Sequence, residues 1–165
     1  RRADQDGFRA WEKGSELLGP AKDPWYPFTI FGGIFTPSVE VFALCDEELK
    51  SSDRFNVSVL TSAAQDLRNR NSSFPKQVWS PEITMNKLRT LFYMAIENEC
   101  EVLVLGAFGN GAFLCPPKET AEIYKKLIEE ICAGCDKVED FPFKKVDFAI
   151  IKSQENLAAY RSVFG

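Results

Sequence analysis

The residues in this chain best suited to chemistry lie in one run. It is Val102-Leu-Val-Leu-Gly-Ala-Phe-Gly-Asn-Gly-Ala-Phe113, followed by Leu114-Cys-Pro-Pro117. The apolar start reads as a fully buried strand. It breaks at Gly106 into a loop that carries two more glycines, Gly109 and Gly111, before Pro117 opens a helix. Glycine tolerates positive φ and lets another group approach the backbone closely. Unpaired amides beside a helix start attract an anion. The chemistry this pattern predicts is phosphate binding by backbone N–H groups. A tight strand-to-helix turn with no ligand satisfies the same spacing. The pattern is neither Gly-x-Gly-x-x-Gly nor a P-loop, since no Lys-Ser/Thr follows.

The rest of the composition narrows the chemistry. The chain contains no histidine, which excludes Ser-His-Asp and Cys-His nucleophile systems and His-based zinc sites. A net charge of −4 argues against binding along a nucleic-acid backbone but not against one small anion. Five cysteines in 165 residues suggest a reduced, intracellular protein. Cys132-Ala-Gly-Cys135 is a Cys-x-x-Cys at a helix end with no second pair, so metal or redox use is its minor reading. The acidic stretch from Asp46 to Asp53 reads as a solvated turn rather than an oxygen cage for a metal. No stretch approaches the ~20 apolar residues of a membrane span. The first residue is Arg, not Met, and the chain is expected to begin inside a longer protein.

The elements that must position the glycine loop follow from periodicity. A length of 165 residues with 45% hydrophobic content fits one domain. Residues 1–35 read as an irregular or helical N-terminal segment, with a short helix over Phe8–Leu18, and residues 36–165 as the core. Phe28–Phe35 and Val39–Leu44 read as short strands, the first interrupted at Gly32-Gly33. Phe55–Leu60 is a strand ending in Thr61-Ser62-Ala63-Ala64, and Gln65–Lys76 a polar loop. Ser80 caps a helix opened by Pro81, with Thr84, Leu88, Leu91, Phe92 and Ala95 on one face. A helix over Lys118–Cys132 turns Ala121, Tyr124, Leu127, Ile128 and Ile131 inward and stops at Gly134. Val146–Ile151 is the last strand, and Glu155–Phe164 a terminal helix burying Leu157, Tyr160 and Val163. The alternation predicts an α/β three-layer sandwich with a mostly parallel sheet flanked by helices. Ligands in such sheets lie at the carboxyl ends of strands, so Thr61–Ala64 and Gly106–Phe113 are expected to share one crevice.

On those two segments the chain resembles the macro domain of the microbial-type poly(ADP-ribose) glycohydrolase family. Val59-Leu-Thr-Ser-Ala-Ala64 is similar to the family's Thr-Ser-Ala-Ala segment. Leu103-Val-Leu-Gly-Ala-Phe-Gly-Asn-Gly-Ala-Phe113 is similar to its Leu-Val-Leu-Gly-Ala, aromatic, Gly-x-Gly loop. Thr36–Phe42 and Val146–Ile150 resemble flanking strands. The resemblance implies a mixed sheet between helices, with ADP-ribose or a poly(ADP-ribosyl)ated protein as ligand, no cofactor, and a cytoplasmic or nuclear setting. It implies ligand binding by Thr61, Ser62, Ala63, Gly106, Phe108, Gly109, Asn110, Gly111, Ala112 and Phe113. The amides from Gly109 to Phe113 would hold the pyrophosphate, Phe113 would pack on the distal ribose, and Phe108 would shape the loop.

The family's catalytic Gly-Gly-Gly…Gln-Glu-Glu signature does not occur here, and Gln65 stands where Pro is usual. Glycosidic hydrolysis is therefore expected only if a catalytic segment is supplied from upstream. The other readings are a non-catalytic module that binds ADP-ribose or a related nucleotide, and a flavodoxin-like or redox domain combining the glycine loop with Cys132 and Cys135.

Overall fold

The computed structural model describes residues 31–44, 47–68 and 78–165. The predicted Phe8–Leu18 helix, the start of the Phe28–Phe35 strand and most of the 65–76 loop lie outside them. The chain divides into two compact units, Arg1–Ser62 and Ala63–Gly165.

In the first unit, β1 (Gly33–Val41) pairs antiparallel with β4 (Phe55–Ser62), and β2 (Ala43–Leu44) with β3 (Glu47–Glu48). The sequence predicts a strand break at Pro37, yet β1 runs through it. Thr36 faces Val59 and Val39 faces Val57, so β1 carries one residue more than its partner across the irregularity. Proline has no N–H to give the ladder, and Ser38 adopts a φ of 54°, so Pro37-Ser38 forms a bulge rather than an end. A 3-10 turn at Ser51–Asp53 leads to Arg54, whose guanidinium bridges Glu40 and Glu48 at 3.3 and 2.8 Å. Among the described residues no α-helix lies between β1 and β4, and antiparallel pairing needs no crossover helix.

The second unit alternates helix and strand in the predicted order. It comprises α1 (Pro81–Glu97), β5 (Val102–Leu105), α2 (Pro117–Ala133), a 3-10 turn at Val138–Asp140, β6 (Lys145–Phe148) and α3 (Gln154–Phe164). The strands β5 and β6 pair parallel, Leu103 opposite Val146, with α2 in the crossover between them. Among the described residues two pairs are antiparallel and one is parallel, which makes the fold mixed α/β.

Ser80 caps α1 through its side chain, accepting from the Ile83 N–H at 3.2 Å, with Pro81 first in the helix. All five residues predicted for the inner face of α1 are buried, and Met85 joins them. On α2 the buried set is Thr120, Ala121, Ile123, Tyr124 and Leu127, with Ile128 and Ile131 only half-buried. The run 102–105 is not fully buried as predicted. Strand alternation turns Leu103 inward and leaves Val102 and Val104 exposed.

Aromatic rings bind the helices of this unit to β6. Phe92 of α1 meets Tyr124 of α2 at 6.3 Å and Phe143 edge-on at 5.8 Å. Tyr124 meets Phe148 edge-on at 5.2 Å, and Phe148 meets Tyr160 at 5.2 Å and Phe164 at 4.8 Å. Such pairs add roughly 0.5–1.5 kcal/mol each beyond the area they bury.

Two substitutions probe this core. Phe92→Ala should cost about 3–5 kcal/mol in chemical denaturation, because it empties the centre of the ring cluster. Lys87 is buried on α1 with no acceptor among the described residues, and desolvation lowers its pKa. The unfolded chain then holds that proton more tightly than the folded one. Stability should rise with pH up to the usual lysine range, and Lys87→Met should raise the neutral-pH melting temperature by about 2–4 °C and flatten that rise.

Candidate functional site

The glycine loop connects β5 to α2, and its path is fixed at Gly109. This residue has a φ of +75°, in the left-handed region. A Cβ there would stand 2.7 Å from both the Ala64 Cβ and the Cys115 Sγ. Gly106 and Gly111 differ, since a Cβ on either would meet nothing within 4 Å. Of the three glycines, only Gly109 is demanded by packing.

The loop turns upon itself through three backbone bonds. Asn110 N–H donates to Ala107 O at 3.1 Å, Leu114 N–H to Gly111 O at 3.1 Å, and Cys115 N–H to Gly109 O at 2.9 Å. The Asn110 side chain points into the unit. Its Nδ2 donates to Cys115 O at 3.1 Å and to Thr120 Oγ1 at 3.0 Å, while its Oδ1 accepts from the Tyr160 hydroxyl at 3.0 Å. Tyr124 on α2 donates to Gly106 O at 3.3 Å. Burial raises the pKa of both phenols; a backbone hydrogen bond with Phe108 pulls the other way at Tyr160. Both stay protonated and serve as donors.

A second segment, Ala64–Arg68, lies along the loop. Gln65 is buried, and its amide donates to Ser80 O and Thr84 Oγ1, both at 2.7 Å, while its Oε1 accepts from the Ser80 N–H. This side chain fastens the segment to the start of α1. The Cys115 thiol donates to Gln65 O at 3.2 Å, and Leu67 N–H donates to Phe113 O at 3.1 Å. Burial first, and then the Asp66 charge, pushes the Cys115 thiol above its usual range, which makes it a packing residue and not a nucleophile. Asp66 and Arg68 form a two-pronged pair, Nε to Oδ1 and Nη2 to Oδ2, each 2.7 Å. The hydrogen bonds from Arg68 hold the Asp66 carboxyl below its usual pKa. The Arg68 guanidinium sits over the Phe113 ring, 4.7 Å from its centroid.

The outer side of the loop is left with donors. Among the described residues, the N–H groups of Gly109, Gly111, Ala112 and Phe113 have no acceptor. Of these four residues Gly111 and Ala112 are exposed, and Gly109 and Phe113 are half-buried. The resemblance implies a run of five amides from Gly109 to Phe113. Asn110 closes a turn with its own N–H, so the geometry offers four. Loop donors matter more here because α2 opens on Pro116 and Pro117, which bring none, and has no side-chain cap.

The predicted residues are partly assembled. Ala64 packs against Gly109, and Gly106 through Phe113 form one loop. Thr61 and Ser62 end β4 in the other unit, where Ser62 Oγ donates to Gly32 O at 3.0 Å. Ala63 is exposed. Cys132 lies in the last turn of the 17-residue α2 and Cys135 just past it, roughly 20–25 Å along the axis from the loop, so the loop and the thiols do not form one redox centre. Sequence reasoning missed Gln65, Arg68 and the inward role of Asn110. Only Arg68, a cation close in sequence to Thr61–Ala64, offered a signal.

No protein-family model and no curated protein matches this sequence. Solved structures do. Poly(ADP-ribose) glycohydrolase from Deinococcus radiodurans, in complex with ADP-ribose, aligns at 25% identity and a TM-score of 0.64, covering 80% of this chain and 52% of that one. Poly(ADP-ribose) glycohydrolase from Thermomonospora curvata aligns at 23% identity and a TM-score of 0.64, covering 95% and 55%. The same enzyme bound to the inhibitor ADP-HPD gives a TM-score of 0.62 at 23% identity, covering 95% and 57%. The likeness is one of fold, and the chain spans little more than half the length of these proteins.

The two kinds of glycine should separate in thermal melting. Gly109→Ala combines the 2.7 Å clash with a left-handed backbone and should destabilise by about 1–3 kcal/mol, whereas Gly111→Ala should leave the melting temperature within a degree or two. Asn110→Ala leaves Cys115 O and the Tyr160 hydroxyl without this partner and should cost ~1–3 kcal/mol.

Proposed function

We propose that this chain recognises ADP-ribose, with the pyrophosphate seated on the outer side of the 106–113 loop. The observation that carries the reading is the set of four N–H groups at Gly109, Gly111, Ala112 and Phe113 without acceptors among the described residues. The fold likeness to glycohydrolases solved with ADP-ribose or ADP-HPD supports the choice of ligand. The family resemblance and the position of Thr61, Ser62 and Ala63 at a strand end support these as ligand-binding residues. The resemblance with the strand–helix alternation supports reading the mixed fold as a macro-domain-like three-layer sandwich with residues 36–165 as its core. Four charge-assisted amide bonds contribute about 1.5–3 kcal/mol each before the cost of ordering the ligand. Micromolar affinity, about 8 kcal/mol, therefore needs contacts to the nucleoside as well.

Binding is the activity assigned to these 165 residues. Glycosidic cleavage requires a carboxylic acid placed to protonate the leaving oxygen. The chain contains neither Gly-Gly-Gly nor Gln-Glu-Glu, which favours a reader of ADP-ribose or poly(ADP-ribosyl)ated protein. Hydrolysis is proposed only where a catalytic segment comes from outside these residues. Four free cysteines among the described residues support a reducing, intracellular setting, cytoplasmic or nuclear. Among the described residues no helix is long and apolar enough to cross a membrane.

Titration calorimetry with ADP-ribose tests the reading. Saturable heat in the micromolar to sub-millimolar range is expected, and none at millimolar ligand would refute it. Gly111→Val fills the open approach beside the free amides and should weaken binding at least tenfold without lowering the melting temperature. Incubation with a poly(ADP-ribosyl)ated protein should release no ADP-ribose; release would reassign the chain as a hydrolase.

A further inference from the structure

We propose that Arg68 is a ligand-binding residue of this site, supplying a fixed positive charge to the diphosphate that the loop amides hold. The proposal rests on the ADP-ribose reading above and extends it to a residue that no motif of the sequence assigns.

Three observations place the guanidinium there. It stacks 4.7 Å from the ring centroid of Phe113, a residue whose own N–H is one of the four without an acceptor. The backbone around it is tied to the same loop, because Leu67 N–H donates to Phe113 O at 3.1 Å. The guanidinium is also only partly engaged. Asp66 takes Nε and Nη2 at 2.7 Å each, while Nη1 has no acceptor among the described residues, and the side chain keeps 27% of its exposure.

The arrangement preorganises a cation. A free arginine loses much rotamer freedom on gripping a phosphate. Here the Asp66 fork and the Phe113 face have already fixed the plane, so binding an anion orders little more. Arginine suits the position because its planar group can stack on a ring, pair with a carboxylate on one edge and offer donors on another. Lysine, a point charge on a flexible stem, cannot do all three. The Phe113 ring thus carries a cation on one face, which leaves the other for the ribose that the resemblance assigns to it.

The test is ADP-ribose calorimetry on the full chain at about 50 and 300 mM salt, with melting curves alongside. Arg68→Gln should weaken binding about tenfold, equivalent to ~1.4 kcal/mol, and the remaining affinity should fall less with added salt than that of the unmodified protein. Arg68→Lys should restore the salt response but not the full affinity. Wild-type-like affinity in Arg68→Gln, with the parent protein binding normally, would overturn the role of Arg68 and leave the ADP-ribose reading intact. Weaker binding with an unchanged salt response and a lowered melting temperature would also overturn it, showing Arg68 to be a strap between the segment and the loop. An unmodified protein that binds no ADP-ribose would instead refute the reading on which the proposal rests.

Discussion

The conformation of the glycine loop depends on one half-buried side-chain amide, that of Asn110. Asn110 uses both Nδ2 donations, to Cys115 O and Thr120 Oγ1, and its Oδ1 accepts from Tyr160. One side chain thereby joins the loop to the first turn of α2 and to α3. An amide withdrawn from water in this way is stabilising only when its partners are all in place. The aromatic cluster meets that condition by fixing Tyr160 against Phe148 and Tyr124. Packing at the centre of the unit is therefore translated into the backbone conformation at its edge.

That conformation sorts the polar atoms of the loop into two sets. The inner set is matched by Asn110, Tyr124, Gln65 and the loop's own turns. The second set, four amides, has no acceptor among the described residues. Buried backbone groups are almost always paired, so the exposed side is where a foreign acceptor gains most. The donors come from the loop itself, because two consecutive prolines strip the start of α2 of its first amides.

Much of this was legible in the sequence where the signal is local. Ser80-Pro81, the inward face of α1 and the stop at Gly134 follow from capping and helical period, and the structure has them where expected. The glycine loop was legible as a loop between strand and helix. Strand pairing was not, since β1 and β4 meet through a register that no local pattern encodes, and the bulge at Pro37-Ser38 let a strand cross a residue that normally ends one. Nor does sequence reveal which way Asn110 faces. A polar residue between two glycines suggests a ligand contact, yet its side chain is engaged three ways inside. Gln65 looked like a departure from a pattern and proves to be the clamp that holds its segment to α1.

The unequal demands on Gly109 and Gly111 bear on how this fold can diverge. At Gly109 any side chain collides with Ala64 and Cys115, so a descendant that loses glycine there loses stability, whatever it binds. Gly111 faces open space and is under no such obligation. A lineage that abandoned its ligand would be free to drift at Gly111 while Gly109 stayed fixed. The two positions, only two residues apart in sequence, keep separate records of folding and of use.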